Sequence, residues 1–349
     1  MTSPNWKAQY AEIRPTYEVY EKKLRELVIE ILEHAGIDVF QVEGRVKTLD
    51  SFDEKIKRKA GKYTAPLADM TDLVGLRIIA YYLEDVDRIV ALLRDEFEVR
   101  EEHSMNKQDE LAPDQFGYAS NHLVIRIGSR SERLEWAKYA NVSVELQVRT
   151  MSQHAWAAVH HKLSYKRVEE VPTSLQRRLF RLSALFEMAD EQFSAIRQAA
   201  TELSDEYIDR VKVGNLGFEI DADSVDAYIR NSPKVARIVA ELVAYGRSVD
   251  NGRRAELHRS DLVQVADHLG ARTIEELDRL LPDDETTVRD ILRVAGELGA
   301  FDDSADTVPE TLSAVLLILH GASKEFFHSI YADGWDKLVL ARSKLRSRQ

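Results

Sequence analysis

The sequence predicts an α+β domain, a small mixed β-sheet flanked by helices, followed by a domain built from helices alone. Three observations lead there. Strand-like segments lie at LVGLRIIAYY (73–82), FEVREEHS (97–104), FGYASNHLVIRI (116–127) and NVSVELQVRT (141–150), with period-two alternation clearest in the last. Helical spacing before, between and after them gives the order α, β, α, β, β, β, α. Past residue 215 the chain reads as short helices. VKVGNLGFEIDADS (211–224) breaks the helical rhythm with two glycines, and the chain divides into residues 1–205 and 206–349.

The elements follow in order. From Thr16 to Ala35, Tyr17, Tyr20, Leu24, Leu27, Val28, Ile31 and Leu32 recur at helical spacing, with Pro15 near the start and Gly36 as C-terminal cap. VEGRVKTLDSFDEKIKRKAGK (42–62) is a basic segment, helical from Ser51. A helix spans Asp85 to Glu96, and Met105 to Gln115 is a polar loop. WAAVHHKLSYK (156–166) is helical, and a longer helix runs from about Leu175 to Glu202. Its Leu175, Leu179, Leu182, Leu185 and Phe186 read as core or as an oligomer seam. Six helices follow: SVDAYIRN, PKVARIVAELVAYG, SDLVQVADHLG, TIEELDRLL, TTVRDILRVAGELG and PETLSAVLLILHG. The basic tail KLVLARSKLRSRQ reads as a charged helix in solvent.

At 349 residues the chain exceeds what one core usually holds, which supports two domains. Its 44% hydrophobic and 31% charged residues fit a folded soluble protein. No apolar run approaches the roughly 20 residues that span a bilayer. MTSPNWKAQY lacks a signal peptide's apolar core. Zero cysteines exclude disulfides and thiolate metal sites, so a cytoplasmic location is expected. The net charge of −12 argues against a surface made for nucleic acid, but leaves room for a local basic cleft.

Four segments carry candidate chemistry. Arg45, Lys47, Lys55, Lys57, Arg58 and Lys59, with Ser51 among them, are either a solvated basic face or a grip on polyphosphate. Asp72 precedes an apolar strand into which Arg77 is inserted. The two form a structural pair, or Asp72 meets Mg²⁺ and Arg77 a phosphate. Tyr118, Ser120 and His122 share one strand face, and a tyrosine there either packs or stacks on a nucleobase. Glu145, Gln147 and Arg149 stand in line on another strand, as wet surface or as the floor of a site. His154 and His161 lack the i, i+4 spacing of helical zinc sites.

Together these segments closely resemble the RelA/SpoT synthetase family over residues 15 to 200. The motifs appear in the family's order: R-V-K-x-x-x-S-x-x-x-K (45–55), D-L-x-G-x-R (72–77), G-Y-x-S-x-H (117–122), E-L-Q-V-R-T (145–150) and H-K-L-x-Y-K (161–166). The resemblance implies a nucleotidyltransferase-like fold and transfer of pyrophosphate from ATP to the ribose 3′-hydroxyl of GDP or GTP, making (p)ppGpp. It implies that Arg45, Lys47, Ser51, Lys55 and Arg77 hold the ATP phosphates, and that Asp72 binds Mg²⁺. Tyr118 would stack on the acceptor guanine, with Ser120, His122, Gln147, Arg149 and His154 on the acceptor side. Glu145 would complete the metal site, or orient and deprotonate the acceptor hydroxyl. Departures are His154, where compact members carry Asn, and His160, where they carry Glu. Under this reading the polar row is a floor.

The His-Asp metal motif of the family's hydrolase domain is absent, so synthesis without degradation is expected. The helical domain would then regulate the synthetase, bind a protein partner or drive homo-oligomerisation. Two other functions fit the residues. One is a toxin-like synthetase acting on adenine nucleotides or the 3′ end of tRNA; the other is an inactive nucleotide sensor. Retention of Asp72 and Glu145 argues against the sensor.

Overall fold

The computed structural model describes residues 5–59, 61–106, 120–164, 173–250, 252–297 and 307–347. Helix α1 (Trp6–His34) is capped by Asn5, whose side chain accepts from the Ala8 amide. Its buried stripe runs through Tyr10, Tyr20, Leu24, Val28 and Leu32. The helix thus begins well before Thr16, and Pro15 lies inside it rather than at its start. Pro15 forfeits one helical hydrogen bond; burial of Tyr10 on the same helix favours continuing through it.

Among the described residues there are six strands: β1 (Val39–Val46), β2 (Val74–Ala80), β3 (Glu98–Val99), β4 (Met105–Asn106), β5 (Asn121–Arg126) and β6 (Val144–Thr150). They form a mixed sheet in the order β1-β2-β6-β5-β3, with β4 also paired to β5. β2 and β6 are parallel; every other pairing is antiparallel. The α+β expectation for this region holds. β1, however, was expected to be only a basic segment. It is an edge strand whose polar Glu43 and Arg45 and whose Gly44 mask its period.

Other boundaries shift. FEVREEHS yields only two residues of strand before a turn at Glu101–His103, and β4 falls where a loop was expected. β5 starts at Asn121, and Tyr118 lies outside the described residues, as do Tyr165 and Lys166.

Alternation in β2, β5 and β6 gives the sheet two unlike faces. Leu76, Ile78, Leu123, Ile125, Leu146 and Val148 are buried against α1 and against α4 (Leu83–Glu96), which contributes Val86, Ile89 and Leu93. The opposite face is polar. Two short helices, α2 (Leu49–Arg58) and α3 (Pro66–Asp69), lie between β1 and β2 in sequence. The small core of Tyr10, Phe52, Met70 and Leu73 ties α1 and α2 to the segment entering β2. A single turn, α5 (Leu134–Ala137), precedes β6. β6 then runs directly into α6 (Met151–Ser164). The Thr150 hydroxyl donates to Asp190 of α7 (Thr173–Lys212) at 2.5 Å, and Gln153 accepts from the Thr150 amide at 2.8 Å.

Contacts divide the chain into Met1–Arg197 and Gln198–Gln349. The second unit contains α8 (Ala222–Asn231), α9 (Pro233–Ala244), α10 (Arg253–His268), α11 (Ile274–Leu280), α12 (Glu285–Glu297), α13 (Val308–His320), α14 (Lys324–Ile330) and α15 (Trp335–Arg346). Helix α13 is central, with Leu312, Val315, Leu316 and Leu317 almost wholly buried. The basic tail is not a solvated helix: α15 buries Leu338, Ala341 and Leu345. Its apolar stripe was hidden among Lys and Arg residues. Among the described residues no helix is long and apolar enough to cross a membrane.

Leu146 is fully buried in the middle of the sheet. Leu146→Ala is expected to destabilise this unit by about 2–5 kcal/mol. Hydrogen exchange of the β2 and β6 amides under increasing urea measures it; a loss below about 1 kcal/mol would contradict this packing.

Candidate active site

The parallel register of β2 and β6 sets Gly75 beside Glu145 and Arg77 beside Gln147. Antiparallel pairing adds Arg45 opposite Gly75, Glu43 opposite Arg77, and His122 opposite Gln147. All these residues fall on the polar face. Glu43, Arg45, Asp72, Arg77, Glu145 and Gln147 line one pocket there. Arg149, next along β6, is buried rather than wet.

A chain of hydrogen bonds runs across the floor. Ser120 Oγ lies 2.8 Å from His122 Nε2, and His122 Nδ1 lies 2.7 Å from Glu145 Oε1. Gln147 Nε2 donates to the same carboxylate oxygen at 3.1 Å, and Arg149 donates to Gln147 Oε1. The bond from His122 holds the Glu145 carboxyl down at about 2 against the upward push of burial, with Gln147 adding to it. Glu145 is therefore ionised and fixed in orientation.

The second cluster surrounds Asp72. Thr48 caps α2, accepting from the Ser51 amide, so Ser51 sits in the first turn and Lys55 one turn later. Lys55 Nζ and Lys47 Nζ reach Asp72 Oδ2 at 2.6 and 3.0 Å. Burial raises the Asp72 carboxyl, but the two lysines outweigh it and leave the group below its usual value. The Lys47 carbonyl is pinned by the Tyr10 hydroxyl at 2.7 Å and Arg14 Nε at 3.2 Å, while its amide donates to Leu73 O. Asp72 does not pair with Arg77; Arg77 donates to Glu43 at 2.8 Å.

Among the described residues, Asp72 Oδ1, Arg77 Nε and Arg149 Nε are buried polar atoms of this face without partners, and His154 Nδ1 beside it is another. An orphaned carboxylate oxygen fits a cation, and orphaned guanidinium N–H groups fit an anion. Burial, and after it the neighbouring Arg77, lower the Arg149 guanidinium to about 10. Burial, followed by Arg149 and Arg77, also lowers His154 and keeps it neutral. Two hard carboxylates suit Mg²⁺, which takes few protein ligands and completes its shell with phosphate and water. Among the described residues no group of three or more His, Cys, Asp or Glu is arranged to hold a metal. His160 stacks on Trp156 with ring centroids 4.7 Å apart.

Of the residues singled out from sequence, Arg45, Lys47, Ser51, Lys55, Asp72, Arg77, Ser120, His122, Glu145, Gln147, Arg149 and His154 lie on or around this face. Lys57 instead pairs with Asp53 on exposed helix surface. Sequence reasoning missed Glu43, Tyr10 and Arg14. Glu43 stands two residues before Arg45, a period-two signal that recognising β1 would have supplied.

A family model described as a region found in RelA/SpoT proteins matches residues 44–170. The chain is 32% identical over 176 residues to the GTP pyrophosphokinase YjbM of Bacillus subtilis (strain 168), covering 49% of this chain and 76% of that protein. It is 28% identical over 171 residues to the GTP pyrophosphokinase YwaC of the same strain, covering 48% and 78%. Among solved structures, small alarmone synthetase 1 from Bacillus subtilis bound to its product pppGpp aligns with 29% identity and a TM-score of 0.46. That alignment covers 55% of this chain and 97% of that one.

The His122–Glu145 bond makes a pH prediction. A lowered carboxyl contributes stability that is complete above its unfolded value near 4.5 and lost as pH falls through about 2. In His122→Ala, burial acts unopposed by that donor, and the Glu145 midpoint should rise to about 4 or higher. Carboxyl ¹³C NMR titration reads this directly; a midpoint still near 2 would show that His122 is not what holds it down.

Proposed function

Because the chain belongs to the RelA/SpoT family, we propose that it is a GTP pyrophosphokinase, transferring pyrophosphate from ATP to the ribose 3′-hydroxyl of GDP or GTP to make (p)ppGpp. One observation carries the reading. A single pocket face holds a fixed carboxylate, an orphaned carboxylate oxygen and orphaned guanidinium donors. That donor set matches a polyphosphate with its cation.

In the proposed reaction the 3′-oxygen bonds to the β-phosphorus of ATP. The bond from that phosphorus to the α,β-bridging oxygen breaks, and AMP departs with the oxygen. Lys47, Lys55, Arg45 and Arg77 grip the phosphates, helped by the Ser51 hydroxyl and the N-terminal amides of α2. Charge gathers on the nonbridging oxygens and on the leaving group, where fixed cations stabilise it. Asp72 and Glu145 are the residues that would hold Mg²⁺, which when bound neutralises phosphate charge.

Glu145 sits on the acceptor side, with His122 and Ser120 behind it. A carboxylate held near 2 is a weak base, so its first task is to accept the hydrogen bond of the hydroxyl and aim it. The proton passes to it late, once bonding to phosphorus has made the hydroxyl acidic. Gln147 and Arg149 steady that carboxylate from the other side, and His154 borders the acceptor pocket.

Binding would also exchange partners. Lys47 and Lys55 leave Asp72 for phosphate as Asp72 turns to the cation, and Arg77 leaves Glu43. Glu43 is thus a competitor for Arg77 in the empty pocket.

The decisive assay offers β-labelled ATP and purified protein GDP, GTP, ADP, ATP and bulk tRNA separately. Label should move to GDP or GTP, and Glu145→Gln should lose at least about 10³-fold in transfer while nucleotide affinity stays within about threefold. Label moving only to adenine nucleotides or tRNA would instead make this a toxin-like synthetase. A Glu145→Gln protein that still transfers would remove Glu145 from the chemistry.

Glu43→Gln tests the exchange. The Arg77–Glu43 pair is partly exposed, so freeing Arg77 should lower KM for ATP by about two- to fivefold with kcat little changed. A raised KM would mean that Glu43 positions Arg77 rather than competing for it.

A further inference from the structure

Helix α13 is apolar on nearly every side, as befits the centre of a helical unit. Two of its polar groups are anomalous there. Thr311 is 4% exposed, and its hydroxyl makes no hydrogen bond. Glu310 Oε2 lies 3.4 Å from His258 Nδ1 and 3.7 Å from an Arg254 nitrogen, yet accepts no hydrogen bond. Leaving such groups unsatisfied opposes folding.

Both residues line a cavity of about 300 Å³. Ala314 and Leu317 of α13, Phe327 of α14 and Leu338 of α15 form apolar walls, and Tyr331 stands among them. The pocket is partly open to solvent, with Asp333 and Lys337 in its lining, while its inner walls are apolar and hold water poorly. Small side chains at Ala314 and Ala341 keep it open. The rings of Phe327 and Tyr331 lie 5.2 Å apart, a tilted pair able to pack an apolar or aromatic body. Burial pushes the Tyr331 hydroxyl above its ordinary value, so it remains neutral.

We propose that this cavity is a binding site for a small, mostly apolar molecule with one hydrogen-bond-donating head, an amine or a hydroxyl. Glu310 and Thr311 receive the head, and Phe327 and Tyr331 pack the body. The Glu310 oxygen can only accept a hydrogen bond, which selects a donor and disfavours a carboxylate ligand. A ligand filling the space satisfies orphaned atoms and covers the apolar walls together. The site gives the helical unit a ligand of its own, chemically unlike a nucleotide.

The test uses the full chain, ¹³C-methyl-labelled at leucine, titrated with 2-phenylethylamine, 2-phenylethanol and phenylacetate. Each probe has about nine or ten non-hydrogen atoms, a size for which Kd near about 1 mM is realistic. Saturable shifts of the Leu317 and Leu338 methyls are expected with the amine and the alcohol, and at least about tenfold weaker binding with phenylacetate. The tighter of the first two shows whether the head is charged, and either supports the site. Ala314→Phe should fill the cavity and abolish the shifts. Should that variant not fold, Thr311→Val should weaken binding by about threefold to tenfold. No saturable shift up to about 10 mM, equal binding of phenylacetate, or binding untouched by the variants that fold would overturn the proposal.

Discussion

The parallel pairing of β2 with β6 is the constraint on which the rest of the N-terminal unit depends. Its register puts Leu76 and Ile78 in the same layer as Leu146 and Val148, and Arg77 in the same row as Gln147. A slip of one residue would turn Glu145, Gln147 and Arg149 into the core and bring valines to the floor. The apolar layer under α1 and α4 excludes that slip. Core packing and site geometry are therefore one specification written on alternate residues. The β6-to-α6 junction extends it, because Gln153 and Asp190 hold Thr150 where the floor ends.

Charge on this face is arranged as two internal settlements. Lys47 and Lys55 settle on Asp72, and Arg77 settles on Glu43. Partly buried pairs of this kind add little stability over an apolar replacement, whereas leaving one member alone is costly. They hold strong cations in place along the floor. Asp72 Oδ1, Arg77 Nε and Arg149 Nε remain unsatisfied even so.

Much of this was legible in the sequence, and the failures have identifiable physical causes. Strands β2, β5 and β6 were foreseen because buried aliphatics on one face make the repeat visible. β1 was not, since Glu43 and Arg45 belong to the polar floor, Gly44 between them faces α1 without a side chain, and its strand character comes from pairing with β2. The site row on β6 was readable because every second residue was polar. Glu43 is hidden with its strand, and Tyr10 and Arg14 are hidden because Pro15 reads as a helix start. Partner choice was harder still. Asp72 and Arg77 are close in sequence, but Arg77 meets Glu43 across the β1–β2 pair, a relation that only register reveals.

Asp72 is shared by two lysines through one oxygen while its other oxygen waits. Under the proposed reaction, an anion that arrives alone can draw the lysines away only by abandoning a half-buried carboxylate. A cation that arrives alone meets a carboxylate already claimed by two positive neighbours. Only a complex carrying both signs relieves every group at once. Under that proposal the pocket would thus answer to a metal–nucleotide pair together, and not to inorganic phosphate or a free cation alone.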